Sequence, residues 1–232
     1  MLDGKRVGAI IPAGGKGVRM GASSAKQFLA LGGKPIFLHT LERVHSCPEV
    51  DRIVLVAPRE HASQMEESVR SGHLAKTSVA IGGDQRQDSV WSGLQLLKSD
   101  EIDIVVVHDA VRPFISHELI REVVATALNH GAAIAAVRPK DTVKSSSDDR
   151  VVLTTLKRDR LWIVQTPQAF RFDLLFQAYE KAFADGFYGT DDASLVERMG
   201  IDVKIVPGNY DNIKITTTED LEFGNLIARR LG

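Results

Sequence analysis

The sequence predicts an α/β protein, a three-layer α/β/α sandwich around a mostly parallel sheet. Short runs of apolar, largely β-branched residues recur along the chain, and amphipathic segments separate them. Strands that are apolar on both faces alternate with helices where a parallel sheet is covered on both sides. With 44% hydrophobic and 25% charged residues, the composition is that of an ordinary globular chain. We therefore expect one domain over residues 1–232, built on a Rossmann-like sheet.

The elements of this sheet follow from the hydrophobic pattern. Six apolar runs are predicted to be buried strands, at residues 6–11, 51–57, 77–81, 103–107, 132–137 and 203–206. Apolar residues at helical spacing predict helices at 35–47 and 86–98. A closing helix is predicted after residues 216–220, where hydroxyl and acidic side chains precede Leu221 and Leu226.

The strand–helix alternation breaks at about 139–165. Residues 141–144 and 151–155 have a β pattern, and the polar run between them is typical of a turn. We therefore expect a protruding β-hairpin, called the arm below. A surface excursion without function is the alternative, because loops of this length are often tolerated insertions. Exchange of arms across a two-fold axis would cover the hairpin's edges and bury Val151 and Leu153, so we expect dimerisation through the arm.

Charge and cysteine usage exclude several classes of protein. Lys and Arg number 29 against 30 Asp and Glu, a net charge of −1, which argues against a broadly basic face for nucleic acid. Cys47 is the only cysteine, so an intrachain disulfide and a cysteine-based zinc site are excluded and a reducing compartment is favoured. The apolar runs are too short to span a bilayer, and the N-terminus lacks the apolar segment of a signal peptide. We expect a cytoplasmic protein with neither a nucleic-acid nor a membrane partner.

The densest glycine cluster, P-A-G-G-K-G-V-R-M-G at residues 12–21, follows the first predicted strand. A glycine backbone can approach phosphates and direct N–H groups at them, and Lys16 and Arg19 add positive charge. Two familiar motifs do not match. Met20 stands where a dinucleotide fingerprint needs glycine, and the Gly-Lys-Ser/Thr end of a Walker A loop is absent. The loop therefore indicates either a nucleotide site or a tight turn.

Other candidate residues have both a structural and a functional interpretation. Gly82 and Gly83 can end a strand while Asp84 caps the next helix, or this turn can bind a ligand. His108 is as consistent with packing as with function, whereas Asp109 follows a predicted strand at the sheet edge where α/β proteins bind ligands. Taken alone, several basic residues are loop or solvated charges: Lys26, Arg112, Arg158 and Lys214.

Short motifs in a fixed order carry a resemblance to a known family. The glycine loop has the form A-G-G-x-G-x-R-M, and K-Q-F at 26–28 and G-K-P-I at 33–36 follow it. This order resembles nucleotidyltransferases that transfer a nucleoside monophosphate to a sugar or polyol phosphate. Further motifs extend over nearly the whole chain: G-G-D-Q-R-Q-D-S-V at 82–90, V-H-D-A-V-R-P-F at 107–114, D-T-V-K at 141–144, T-P-Q-A-F at 166–170, T-D-D-A-S at 190–194 and D-N-I-K at 211–214. Together they resemble the 2-C-methyl-D-erythritol 4-phosphate cytidylyltransferases of the non-mevalonate isoprenoid pathway.

The resemblance implies a nucleotidyltransferase sheet and transfer of CMP from CTP to 2-C-methyl-D-erythritol 4-phosphate, which yields 4-diphosphocytidyl-2-C-methyl-D-erythritol and pyrophosphate. It implies Mg²⁺ or another divalent cation, with Asp109 as a metal ligand, and a homodimer in which Thr142 and Arg158 of the arm reach the site of the partner subunit. The catalytic residues that it implies are Arg19, Lys26, Arg158 and Lys214. The implied nucleotide-binding residues are Pro12, Ala13, Gly14, Gly15, Gly17, Gly83, Asp84, Ser89, Asp109 and Ala110. The implied acceptor-binding residues are Arg112, Thr142, Thr166, Thr190 and Asp211.

Several alternatives remain open. Arg158 fits the family's R-x-x-L-W spacing before Trp162, and Arg160 is the alternative two positions away. Ribitol-5-phosphate cytidylyltransferases share many of these motifs, although the D-T-V-K run at 141–144 favours the methylerythritol enzyme. A nucleotide-binding module without turnover is disfavoured, because the cations and the carboxylate of the implied site are intact. Since the chain ends soon after the predicted closing helix, we expect it to lack the fused synthase domain that some relatives carry.

Overall fold

A computed structural model describes residues 4–14 and 26–231 of the chain. The strands within these ranges are β1 (Val7–Pro12), β2 (Ala30–Leu31), β3 (Lys34–Pro35), β4 (Arg52–Ala57), β5 (Thr77–Ile81), β6 (Ile104–Val107), β7 (Ala132–Val137), β8 (Lys144–Ser146), β9 (Val152–Thr155), β10 (Ile163–Arg171) and β11 (Lys204–Pro207). The helices are α1 (Ile36–His45), α2 (Ala62–Ser71), α3 (Arg86–Leu97), α4 (His117–His130), α5 (Phe172–Ala184), α6 (Asp192–Glu197) and α7 (Thr218–Leu231). None of the helices in the described part of the chain is long and apolar enough to cross a membrane.

The large sheet has seven strands in the order β11-β7-β10-β6-β1-β4-β5. β1 pairs in parallel with β4 and β6, β4 with β5, and β7 with β11. β10 is antiparallel to both of its neighbours, β6 and β7. The predicted mostly parallel sheet is therefore confirmed, with one reversed strand inside it. Because β10 is reversed, its N-terminal half lies with the carboxyl ends of the parallel strands, the edge where α/β sheets bind ligands.

Helices cover both faces of the sheet, as a three-layer sandwich requires. One apolar core joins the sheet to α1, α2 and α4 and contains Phe37 and Val123. The other joins it to α3, α5 and α6 and contains Leu94. Ile10 and Ile11 of β1 fall into opposite cores, because successive side chains of a strand point to opposite faces. The apolar residues of the central strands are thus buried on both sides.

All six predicted strands are present, as β1, β4, β5, β6, β7 and β11, and the three predicted helices are α1, α3 and α7. The sequence analysis missed β10, a central strand of nine residues. Pro167 lies inside it, and proline within a run normally marks an edge strand or no strand. The pairing of β10 with β7 shifts register between Val164 and Gln168. At this irregularity the strand pair tolerates Pro167, which has no backbone N–H to donate. The Thr166–Pro167 peptide is cis.

The predicted arm is present as a separate two-stranded hairpin of β8 and β9. Its first strand is Lys144–Ser146, so the strand predicted at 141–144 was placed too early. The serines at 145–147 are typical of a turn in sequence. A pair of strands that is exposed to solvent can nevertheless form from polar residues. The Ser147 N–H donates to the carbonyl of Val151 at 3.0 Å and closes the turn. Val151 and Leu153 are 61% and 66% exposed, so the hairpin presents apolar side chains to solvent.

Candidate active site

A cleft of about 310 Å³ opens at the carboxyl ends of the parallel strands. It lies where the loop after β6 meets β10 and the loop before α7. Three cationic and two anionic side chains line it among polar neighbours: Arg86, Asp109, Arg112, Val164, Gln165, Thr166, Gln168, Thr190, Asp191 and Lys214. Five of the predicted site residues meet here: Asp109, Arg112, Thr166, Thr190 and Lys214. The excess of cations suits an anionic ligand.

Asp109 is the electrostatic centre of the cleft. Its Oδ2 lies 2.7 Å from Lys214 Nζ and 3.8 Å from Arg112 Nε, and its Oδ1 accepts a hydrogen bond from Arg86 Nε at 3.2 Å. Burial by itself would raise the pKa of this carboxyl, but the charges of Arg86 and Lys214 hold that pKa well below its usual value. Asp109 therefore stays ionised and gathers three cations around one carboxylate.

His108, next to Asp109, is fully buried. Its Nε2 is 3.0 Å from the carbonyl of Arg112, and its Nδ1 is 3.0 Å from Thr166 Oγ1. Since a carbonyl only accepts, we assign the proton to Nε2, so that the Thr166 hydroxyl donates to Nδ1 and accepts from the Asp109 N–H at 3.0 Å. Burial lowers the pKa of His108 to about 4. His108 is thus a neutral structural link, which favours the packing interpretation.

A second set of side chains, which the sequence analysis did not assign, completes the charge cluster. Arg86, the first residue of α3, donates from Nη2 to Asp192 Oδ2 at 2.8 Å. Asp192 is fully buried and accepts a hydrogen bond from Tyr179 OH at 2.5 Å. Burial would lower the pKa of Arg86, but the charges of Asp192 and Asp109 raise it. Arg86 and Asp192 both stand in the motifs quoted above, which was the available signal, whereas Tyr179 has the sequence signature of a core helix position.

The loop before α7 holds Lys214 at the cleft through a buried anchor. Asn212 is fully buried, and its Nδ2 donates to the carbonyl of Thr166 in β10 at 2.8 Å. The carbonyl of Asn212 accepts from Arg112 Nη1 at 2.8 Å. These bonds tie the loop to the strand and to the loop after β6. Lys214, two residues later, is therefore held above the carboxylate that it pairs with.

Two glycine loops, one of which holds the predicted residue Gly14, approach the predicted residue Ser89. A Cβ on Gly82 would lie 2.6 Å from Ser89 Oγ, and one on Gly14 would lie 3.8 Å from it. The loop after β1 and the turn after β5 therefore converge on this hydroxyl. The Ala110 N–H donates to the carbonyl of Pro12 at 3.3 Å, which ties the loop after β1 to the Asp109 loop. The N–H of Ala13, which follows Pro12, donates to the carbonyl of Val56 in β4.

Asp84 does not cap α3, so that interpretation is wrong. The N-cap is Gln85, and Asp88 Oδ2 accepts from the Gln85 N–H at 2.9 Å. A residue three positions into the helix can reach back to the N-cap, and it satisfies the end of α3 here. A Cβ on Gly83 would lie 2.4 Å from Asp88 Cβ, so this turn requires glycine. Gly83 and Asp84 are exposed.

Among the described residues, Asp109 is the one predicted nucleotide-binding residue that lines this cleft, and three of the predicted catalytic and acceptor-binding residues do not line it. Thr142 and Arg158 are exposed on the arm, where Arg158 Nη1 donates to the carbonyl of Lys140 at 2.6 Å. Asp211 is ion-paired with Arg230 of α7. Other predicted residues lie outside the described residues: Gly15, Gly17, Arg19 and the side chain of Lys26.

The cleft offers few groups that could bind a divalent cation. Over residues 4–14 and 26–231, no three His, Cys, Asp or Glu side chains converge as a metal cage. Mg²⁺ in phosphate-transfer sites is usually held by one or two carboxylates together with substrate phosphates and water. Asp109 supplies one ionised carboxylate at the cleft. The residues therefore fit a Mg²⁺ that is held mainly by a bound polyphosphate.

Comparisons with known proteins agree on one family. A family model described as IspD, 2-C-methyl-D-erythritol 4-phosphate cytidylyltransferase, matches residues 7–230. A protein of that name from Syntrophus aciditrophicus is 47% identical over 93% of this chain and 93% of its own length. One from Symbiobacterium thermophilum is 45% identical over 95% of this chain and 92% of its own. The 4-diphosphocytidyl-2C-methyl-D-erythritol synthase of Anaerococcus prevotii has a similar structure, with a TM-score of 0.88 and 37% identity over 98% of both chains.

Proposed function

The chain belongs to the 2-C-methyl-D-erythritol 4-phosphate cytidylyltransferase family, and we propose that its active site has an acceptor half in the cleft around Asp109 and a nucleotide half around Ser89, outside the cleft lining. The protein is a nucleotidyltransferase that transfers CMP from CTP to 2-C-methyl-D-erythritol 4-phosphate and releases pyrophosphate. The ribitol 5-phosphate alternative is not favoured. The observation that carries the proposed acceptor half is the 2.7 Å ion pair between Lys214 and Asp109. This pair keeps a cation at the cleft for an incoming phosphate.

The reaction brings two polyanions together. A phosphate oxygen of the acceptor attacks the α-phosphorus of CTP, and a new P–O bond forms. The bond from that phosphorus to the bridging oxygen breaks, and its electron pair leaves with pyrophosphate. The acceptor phosphate is already anionic near neutral pH, so no general base is required. The barrier is mainly electrostatic, and preorganised cations and N–H donors lower it.

In the nucleotide half, the turn after β5 is proposed to recognise the base. Cytosine presents an exocyclic amine and a carbonyl, so fixed acceptors and donors can distinguish it from uracil. The exposed turn of Gly83 and Asp84 and the hydroxyl of Ser89 supply such groups. Arg19 and Lys26 are proposed to hold the triphosphate and the charge that develops on it during attack.

In the acceptor half, Lys214 and Arg112 are proposed to hold the phosphate of the acceptor. Both cations line the cleft, and both are within 4 Å of the same carboxylate oxygen. Thr166 and Thr190 line the same space with hydroxyl groups that suit a polyol. Asp211 is proposed to contact the acceptor from the rim.

A divalent cation is part of the proposal, with Asp109 as the protein carboxylate. When bound, Mg²⁺ would neutralise charge on the α-phosphate and the leaving group. The lowered pKa of Asp109 keeps the carboxylate ionised. A permanently charged Asp109 is available to the cation and, with Ala110, to the ribose side of the nucleotide.

We also propose that the protein is a homodimer joined through its arms. The root of the arm is fixed, because the guanidinium of Arg138 stacks 3.8 Å from the centre of the Trp162 ring. A fixed hairpin with exposed apolar side chains such as Val151 offers an edge that a second copy can cover. In such a dimer, Thr142 and Arg158 would complete the site of the partner subunit.

A cytoplasmic location is the last part of the proposal. Cys47, the single cysteine, is buried and its Sγ donates to Glu49 at 3.1 Å. Burial raises the pKa of the Cys47 thiol to about 11, so it stays protonated and unreactive. A chain stabilised without a disulfide suits a reducing compartment.

One assay tests the activity and the metal together. Pyrophosphate release from CTP is measured with 2-C-methyl-D-erythritol 4-phosphate and with ribitol 5-phosphate in parallel, each with Mg²⁺ and with EDTA. We expect turnover with the methylerythritol acceptor that requires the divalent cation. Equal or faster turnover of ribitol 5-phosphate would contradict the acceptor, and full turnover in EDTA would contradict the metal.

A further inference from the structure

Two of the three cations around Asp109 are of different kinds; the third, Arg112, lies 3.8 Å from Oδ2. Lys214 contacts Oδ2, and 39% of the Lys214 side chain is exposed. Arg86 contacts Oδ1, and the other end of its guanidinium is bound to Asp192, whose side chain is fully buried. One partner of Asp109 is therefore a long side chain at the surface, and the other is anchored inside the protein.

The anchor of Arg86 continues into the core. Asp192 accepts from Tyr179 OH at 2.5 Å, and only 1% of Tyr179 is exposed. The Tyr179 ring is parallel to the ring of Trp91, with a centroid separation of 6.0 Å. Trp91 belongs to α3, the helix that begins with Arg86. The two groups that hold Asp192 are thus fixed on packed helices, α3 and α5.

This arrangement decides which bond is free to change when a phosphate enters. An incoming phosphate competes with Asp109 for the cations of the cleft. Arg86 would have to give up a buried carboxylate as well as Asp109, and leaving a buried charge without its partner is costly. Lys214 gives up a single bond, its own side chain is partly exposed, and Asp109 keeps Arg86 as a counter-charge when Lys214 leaves. Lys214 is therefore the cation that can exchange.

We propose that Arg86 is a positioning residue for Asp109: anchored by the buried Asp192–Tyr179 pair, it keeps a fixed positive charge on Asp109, so that Lys214 can leave that carboxylate for the phosphate of the acceptor. This inference rests on the proposed acceptor half of the active site. Without the anchored arginine, Asp109 would retain Lys214 as its main counter-charge. The acceptor phosphate would then meet a cation that is already engaged.

The central test is the substitution Arg86→Lys. Lysine keeps the positive charge but has no planar fork, so it cannot bridge Asp109 and Asp192 at once. We expect the KM for the acceptor to rise about 10- to 100-fold, the range typical of residues that orient a catalytic group through another side chain. A purely structural role would lower the amount of active enzyme and leave the acceptor KM unchanged.

A second variant acts from inside the core. Tyr179→Phe removes one hydroxyl that no substrate can touch, and it preserves the ring packing. We expect the acceptor KM to rise here too, by a smaller factor than in Arg86→Lys. The control is Thr126→Val, which removes a hydroxyl that donates to the carbonyl of Glu122 at 2.8 Å within α4. The acceptor KM of this control should stay within about twofold of wild type, as expected for an uncoupled site.

A double-mutant cycle tests whether Arg86 acts on the acceptor through Asp109. If Arg86 acts through Asp109, then Arg86→Lys should change the acceptor KM by less than about twofold when it is added to Asp109→Asn. Equal effects in both backgrounds would overturn the proposal, as would an unchanged acceptor KM in Arg86→Lys and Tyr179→Phe with wild-type enzyme active. A wild-type enzyme without cytidylyl transfer would instead overturn the proposed function, and this inference would fall with it. Thermal melts of each variant show that the KM values come from folded protein.

Discussion

The Nδ1 atom of His108 lies 3.0 Å from the hydroxyl of Thr166, and this contact joins the loop after β6 to the reversed strand β10. Both residues are buried. The same hydroxyl accepts from the Asp109 N–H. The position of the loop after β6 therefore depends on a histidine that must remain neutral, and this has a consequence for stability.

We predict that stability falls as the pH drops from about 6.5 to about 4. The unfolded chain binds a proton on His108 near its ordinary pKa of 6.5, whereas the folded chain does so only at about 4. Protons therefore favour the unfolded state in this window, and folding stability is lost as pH falls. Urea unfolding at pH 7 and pH 4.5 should show a loss of about 2 kcal/mol from this group.

The control for this loss is His108→Gln, whose side chain can still donate to the carbonyl of Arg112. Other titrating groups are the same in both proteins, so the difference between their pH profiles isolates His108. The variant should lose less stability than wild type over the window. Identical pH profiles would contradict the assignment of a neutral buried histidine.

Lys214→Ala is predicted to weaken acceptor binding and to spare the nucleotide. A charge-assisted hydrogen bond contributes about 2 kcal/mol, so the acceptor KM should rise roughly 30-fold. Calorimetry without acceptor should give a nearly unchanged Kd for CTP. Lys204→Ala, on an exposed residue of the edge strand β11, is the matched control. A large loss of CTP affinity in Lys214→Ala would place this lysine in the nucleotide half instead.

Thr142→Ala should have the same selectivity as Lys214→Ala if the arm reaches an acceptor half. Thr142 is exposed in its own chain and outside the cleft lining. An effect on the acceptor KM would therefore have to arise in a dimer. A normal acceptor KM would remove Thr142 from the site.

Lys26→Ala is predicted to lower kcat much more than it weakens substrate binding. A charge aimed at the α-phosphate matters most when negative charge develops there, and loss of one such contact typically costs about 2.7 to 4 kcal/mol. Steady-state kinetics should therefore show kcat reduced about 100- to 1,000-fold. Lys34→Ala, at a lysine that is paired with Glu42, is the control. A normal kcat with a raised KM would indicate uniform binding by Lys26.

A shared site predicts that two inactive variants restore each other. Lys26→Ala and Arg158→Ala are mixed after mild dissociation and reassociation. If Arg158 acts in the partner's site, each mixed dimer has one intact site and one with both lesions. Statistical reassortment makes about half of the dimers mixed, so roughly a quarter of wild-type activity should return. No recovery, with chain exchange confirmed by mass spectrometry, would show that Arg158 acts in its own chain or not at all.

The fold could be predicted where a buried strand consists of consecutive apolar residues. β1, β4 and β6 are such runs, and the sequence places them within a residue or two. β10 could not be predicted, because Gln165, Thr166 and Gln168 are polar yet buried. Their burial depends on partners far away in sequence, as when Gln168 Nε2 donates to Asp191 at 2.8 Å. No local pattern contains such partners.

The sequence identified several residues of the candidate site, but it could not show the contacts between them. Motifs identified Asp109 and Lys214, and the structure brings both into one cleft. The contacts of Arg86 were not predictable, because its two carboxylate partners lie far apart in the sequence, in the loop after β6 and at the start of α6, and meet only in the folded chain. Asp84 shows the opposite error. A carboxylate before a helix suggests a cap, but the N-cap is Gln85, and its N–H donates to Asp88 inside the first turn.

The reversed strand also determines the order in which the nascent chain can complete its sheet. β6 and β7 are consecutive in the chain, yet β10 separates them in space. While the ribosome is still translating, β1, β4, β5 and β6 can already pair with one another. β7 has to wait for β10 to emerge, and until then β6 and β7 each have an uncovered edge of the kind that chaperones protect. Emergence of residue 171 from the ribosome is therefore the point at which β6 can gain its second neighbour, whereas β7 is enclosed only after β11 has followed.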